Sequence, residues 1–152
     1  METLLLSDHC PDDIQRAGDI LRRGGLVAIP TETVYGLAAN ALDGEAVKKI
    51  YQAKGRPSDN PLIVHISRFS QLAPLVREVP ESAQKLAAAF WPGPLTIILP
   101  KSDVIPRQTS GGLDTVAVRC PSHPTARAVI DAAGGPLAAP SANLSGKPSP
   151  TT

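Results

Sequence analysis

Arg22-Arg23-Gly24-Gly25-Leu26-Val27-Ala28-Ile29-Pro30-Thr31-Glu32-Thr33 changes its structural period partway along. Upstream of it, Ile14, Ala17, Ile20 and Leu21 recur at helical spacing over 12–23, with Asp12 or Asp13 near the start. Gly24-Gly25 stops that helix, and the four apolar residues Leu26 to Ile29 read as a strand ending at Pro30. The rest of the chain repeats this alternation. Asp43 reads as the N-cap of a helix burying Ala46, Val47, Ile50 and Tyr51, ended by Gly55 and Pro57. Pro61 to Ile66 reads as a strand, and Glu81 to Phe90 as a helix halted by Trp91-Pro92-Gly93-Pro94. Leu95 to Leu99 and Thr115 to Arg119 are two further strands. Pro124 opens a helix over 124–133, Gly134-Gly135 closes it, and Pro136 to Pro140 gives a fifth strand. The pattern predicts one α/β or α+β sheet with helices packed on it, and leaves strand pairing open.

Composition narrows the class. Leu, Ile, Val and Phe occupy 38 of 152 positions, enough for a packed core in a single domain. Charged residues are 19% of the chain and the net charge is +1, which excludes a strongly basic nucleic-acid arm and an acidic tail. A local basic groove stays open, because net charge says nothing about arrangement. The 16 prolines, about twice the usual ~5%, are spread through apolar sequence and read as rigid turns. The N-terminus lacks the basic flank and apolar run of a signal peptide, and no stretch approaches the ~18 apolar residues of a membrane span. Cys10 and Cys120 form no C-x-x-C motif and read as structural thiols, so a soluble, cytoplasmic setting is expected. The tail from Ser145 to Thr152 is polar and turn-rich and reads as a loop cut short.

Phosphate-loop, dinucleotide, zinc-helix and nucleophile-elbow motifs are all missing, and His9, His65 and His123 have no metal-ligand spacing. What remains is polar residues at the ends of apolar runs, where α/β sheets place ligand contacts. Thr31, Thr33 and Tyr35 share a face if extended, suiting either a small polar ligand or an ordinary half-buried strand. Lys54 and Arg56, separated by one glycine, can reach one polyanion or simply complement a helix C-terminus. In Thr115 to Arg119, Thr115, Ala117 and Arg119 lie on one face and Val116 and Val118 on the other. Arg119 there is either a carboxylate clamp or a solvated edge residue. In 61–66, Leu62, Val64 and Ile66 face one way, and Ile63 and His65 the other. His65 alone reads more readily as a structural histidine than as a ligand. Ser141 and Asn143 share a face after Ala138-Ala139, as either a ligand contact or a turn.

Taken together, these blocks resemble the threonylcarbamoyl-adenylate synthase family, the YrdC-like domain, over nearly the whole chain. The resemblance rests on Gly-Gly-Leu-Val-Ala-Ile-Pro-Thr-Glu-Thr-Val-Tyr-Gly-Leu, Lys-Gly-Arg-Pro, Asn-Pro-Leu-Ile-Val-His, Trp-Pro-Gly-Pro-Leu-Thr, Val-Ala-Val-Arg-Cys-Pro and Ala-Pro-Ser-Ala-Asn-Leu-Ser-Gly. It implies a single-domain twisted mixed sheet with flanking helices over 1–152, incomplete at its C-terminal end. It implies condensation of L-threonine, bicarbonate and ATP into threonylcarbamoyl-adenylate and pyrophosphate, for threonylcarbamoyl modification of tRNA. By the same resemblance Lys54, Arg56, Ser141 and Asn143 form the catalytic tetrad. Arg56, Asn60, Thr115, Ser141 and Ser149 contact ATP, and Thr33, His65, Arg119 and Ala139 the threonine, Ala139 through its backbone. Mg²⁺ accompanies the nucleotide, and no metal site belongs to the protein itself. Expected partners are tRNA or double-stranded RNA and the other threonylcarbamoylation proteins that act on the product, with no membrane. The alternatives are an RNA-binding module and a carbamoyl-adenylate-forming paralogue.

Overall fold

The structure, a computed structural model, describes residues 11–30, 35–54 and 61–140. Helix α1 (Pro11–Arg22) leads into strand β1 (Val27–Pro30), followed by β2 (Tyr35–Asn40) and α2 (Gly44–Lys54). Strand β3 (Ile63–His65) is followed by two 3-10 turns, α3 (Glu81–Phe90), β4 (Thr96–Pro100) and the one-turn helix α4 (Arg107–Ser110). Strand β5 (Thr115–Arg119), α5 (Pro124–Ala133) and β6 (Leu137–Ala139) complete the order.

Local chemistry sets most of these bounds. Asp43 Oδ1 accepts from the amides of Glu45 (3.1 Å) and Ala46 (3.3 Å), satisfying orphan donors of α2 as an N-cap should. α5 begins with Pro124 after His123, whose Nδ1 accepts from the Thr125 amide at 3.2 Å. It ends at Gly134, whose φ of 77° lets the chain turn in the left-handed region. Two expected strands are shorter than the apolar runs that announced them: β3 covers only Ile63–His65 of 61–66, and β6 only Leu137–Ala139 of 136–140. Proline at 61, 136 and 140 offers no amide to a ladder. β2 and α4 go beyond the sequence reading. β2, Tyr-Gly-Leu-Ala-Ala-Asn, has no β-branched residue and is a strand because β1 and β6 flank it. α4 braces the entrance to β3: the Leu62 amide donates to Thr109 O at 3.0 Å, and Thr109 Oγ1 to Ala41 O at 2.7 Å.

The six strands form one mixed sheet in the order β1-β2-β6-β3-β5-β4. β3 and β5 are parallel and the other neighbouring pairs antiparallel. One face carries the larger core, in which Val64, Ile97, Leu99, Val116, Val118 and Ala138 pack against α2, α3 and the 3-10 turns. On the other face α1 and α5 cover only the β1-β2-β6 side, burying Ile29, Ala38, Leu137 and Ala139 against Leu21, Val129 and Ile130. The two helices touch closely where Gly18 meets Ala132: a Cβ at position 18 would lie 2.5 Å from the Ala132 carbonyl carbon.

Candidate active site on the open sheet face

Register places several singled-out residues on one surface. His65 on β3 is level with Arg119 on β5 and Leu137 on β6, and Arg119 with Thr96 on β4. One step along, Ile63 is level with Ala117 and Ala139, and Ala117 with Ile98. Paired residues point to the same side of a sheet, so Thr115, Ala117, Arg119, Ile63, His65 and Ala139 share the face opposite the larger core. The alternation expected for 115–119 holds, with Val116 and Val118 buried on the core side. Among the described residues, no helix covers the β3-β5-β4 part of this face. Ile98 is 64% exposed there, and Thr115, Ala117 and Ile63 are half-buried. Thr115 and Arg119 lie about 13 Å apart along β5 at ~3.3 Å per residue, room for two substrates side by side.

The deep end of this face is held tightly. Arg119 is 7% exposed and its Nε donates to Gly93 O at 3.2 Å. The Gly93 amide in turn donates to Cys120 O at 2.8 Å, and the Trp91 indole N–H to Leu95 O at 2.8 Å. A Cβ at Gly93 would stand 2.6 Å from Phe90 O, so the turn requires glycine. Burial lowers the Arg119 pKa, yet a guanidinium stays charged at any ordinary pH. His65, 3% exposed, has Nδ1 3.2 Å from Ile63 O, and burial pushes its pKa down to about 4 despite hydrogen bonding to Ile63 and Leu137. It is neutral at pH 7, a packed and hydrogen-bonded ring rather than a cation. Burial pushes the Cys120 thiol pKa up, so it is no nucleophile at neutral pH.

At the other end of the sheet several strands begin or finish together. β1 and β6 end there at Pro30 and Ala139, β2 and β5 begin there at Tyr35 and Thr115, and Pro61 leads into β3 at the same end. Thr33, Arg56, Asn60, Ser141, Asn143 and Ser149 lie outside the described residues, as do Thr31 and Cys10. Lys54 is the last residue of α2, and its side chain is likewise outside them. Among the described residues no three His, Cys, Asp or Glu are grouped to hold a metal, and no helix is long and apolar enough to cross a membrane. Gly93 and Trp91 stand behind Arg119 in a role that local sequence pattern does not assign them. The signal is Trp91-Pro92-Gly93-Pro94, a helix stop whose glycine also brings a backbone carbonyl to a buried arginine.

The sequence match and the superpositions on solved structures place this fold in the Sua5/YciO/YrdC family. Residues 19–152 match the family's sequence model, described as telomere recombination, and the chain belongs to this family. Among its relatives, a threonylcarbamoyl-AMP synthase of Pyrococcus abyssi is 63% identical over 139 residues, covering 91% of this chain and 41% of that protein. A Bacillus subtilis protein of the same name is 60% identical over 147 residues, covering 96% of this chain and 42% of its own length. The crystal structure of P. abyssi Sua5 complexed with L-threonine superposes with a TM-score of 0.91 at 61% identity, over 93% of this chain and 42% of that one. The chain thus spans about two fifths of the length of these relatives.

Proposed function

We propose that this chain is the adenylate-forming domain of an L-threonylcarbamoyladenylate synthase. The observation that carries the reading is the half-open sheet face ending at the braced Arg119, in a fold that superposes on an L-threonine-bound relative. In the proposed reaction the threonine amine attacks bicarbonate carbon and water leaves, giving the carbamate. A carbamate oxygen then attacks the α-phosphorus of ATP, and the bond to pyrophosphate breaks. Two anions meet in that step, so the site needs fixed cations more than a strong base. Arg119 holds the threonine carboxylate, with His65 and Ala139 beside it and Thr33 completing the pocket. Thr115, Asn60 and Ser149 contact the nucleotide, and Lys54, Arg56, Ser141 and Asn143 surround the reacting phosphate. Mg²⁺ arrives on the triphosphate as part of the substrate. The product serves the cytoplasmic proteins that place threonylcarbamoyl on tRNA. Two features support these roles: a neutral His65 adds no charge beside the amine, and no described group is poised as a covalent nucleophile, which the chemistry does not need.

The test is a drop-out assay read by mass spectrometry and pyrophosphate release. Threonylcarbamoyl-adenylate should form with ATP, bicarbonate and L-threonine together, and with none omitted. Pyrophosphate release that ignores threonine would contradict the reading.

A further inference from the structure

A second cleft lies at the Arg119 end of the sheet, beyond the C-terminal ends of the parallel strands β3 and β5, between α3 and α5. It has a volume of about 520 Å³, within the range of ~300–1,000 Å³ typical of small-molecule pockets. In open α/β sheets the crevice past the carboxyl ends of parallel strands is a recurrent ligand position. Phe69, Trp91 and Pro92 give it a flat apolar wall, and Arg68 and Arg127 supply two guanidinium groups. Among the described residues its lining includes no carboxylate; Asp131, which accepts from Ser67 Oγ at 2.5 Å, is not part of the wall. Arg127 is held in place, its Nη2 donating to Ser67 O at 3.1 Å, and its charge reaches Cys120 in the lining. Side chains of β5 point alternately to the two faces, so Cys120 opens to this cleft while Arg119 faces the open sheet surface.

We propose that this cleft is a second ligand site, separate from the threonine and nucleotide site, for a small organic anion: one oxyanion on a flat apolar body. The guanidinium forks take the oxyanion, and Trp91, Pro92 and Phe69 take the flat body. The inference stands whether or not the reaction proposed above is correct.

Trp91 is the only tryptophan of the chain, so its fluorescence reports the cleft directly. The 152-residue chain is titrated with benzoate, phenyl phosphate, inorganic phosphate and neutral phenol. Benzoate or phenyl phosphate should give a saturable change, and whichever binds tighter identifies the oxyanion as carboxylate or phosphate. Phenol and inorganic phosphate, each with half the chemistry, should bind at least several-fold more weakly. Arg68→Gln, at an exposed position, should weaken the better probe roughly tenfold or more with no change in melting temperature. Saturating L-threonine and ATP should not displace it. No saturable change with either aromatic anion, equal binding of phenol, indifference to Arg68→Gln, or displacement by threonine or ATP would each overturn the proposal.

Discussion

Arg119 and His65 sit level on adjacent parallel strands, yet their physics differs. A carboxylate pairs with a planar guanidinium through two parallel hydrogen bonds, which an ammonium cannot reproduce. Arg119→Lys should therefore weaken L-threonine roughly tenfold or more while ATP affinity stays within a few-fold, by calorimetry. Threonine amide should bind the wild type poorly and lose little more in the variant; equal losses for acid and amide would make Arg119 purely structural. His65 makes a different prediction. Its pKa is lowered in the fold from 6.5 to about 4, so the native state favours the neutral ring. That stabilisation is complete above about pH 6.5 and is lost as pH falls toward 4. Urea unfolding of wild type between pH 7 and pH 4.5 should lose about 2 kcal/mol more than the same titration of His65→Gln. Parallel curves would refute the burial argument. Spacing alone gave the shared face of Thr115, Ala117 and Arg119. It favoured a structural role for His65, but the depth of its burial, and hence its neutral ring, depends on which strands flank β3.

The turn between α3 and β4 and the crossing of α1 with α5 are where element-scale geometry is tightest. At Gly93 the missing side chain lets the carbonyl reach Arg119 while the amide holds Cys120 O. Gly93→Ala should cost about 1–3 kcal/mol in stability and raise the KM for threonine with little change in that for ATP. A fall in kcat with both KM values unchanged would remove the turn from the recognition of threonine. At Gly18, alanine would improve intrinsic helix propensity by about 1 kcal/mol, but its Cβ would meet Ala132 backbone at 2.5 Å. Backbone cannot move aside cheaply, so overpacking wins and Gly18→Ala should lower the melting temperature; a rise would disprove the close approach. The helices were readable because caps and periodic apolar faces are local: Asp43, Pro124 and Gly134 each mark an end through a backbone bond or φ value. β2 was not, since Tyr-Gly-Leu-Ala-Ala-Asn gains its ladder from neighbours remote in sequence.

Across the whole molecule, asymmetric covering of one sheet creates the site. Helices α1 and α5 shield the β1-β2-β6 side of one face, and the β3-β5-β4 side, which no described helix covers, becomes the floor between Thr115 and Arg119. Alternation of helices and strands announced a sheet with helices, but the order β1-β2-β6-β3-β5-β4 depends on long-range pairing that no local pattern encodes. The resemblance in six ordered blocks supplied the residues that spacing left ambiguous. On these grounds L-threonine should be recognised on this open face and not in the cleft beyond β3 and β5. Intermolecular NOEs from bound L-threonine to methyl-labelled protein test it most directly. Recognition on the open face predicts NOEs from the threonine protons to the methyls of Ala117, Ala139 and Ile63. NOEs confined to Ala87 and Ala88, which line the other cleft, would contradict it.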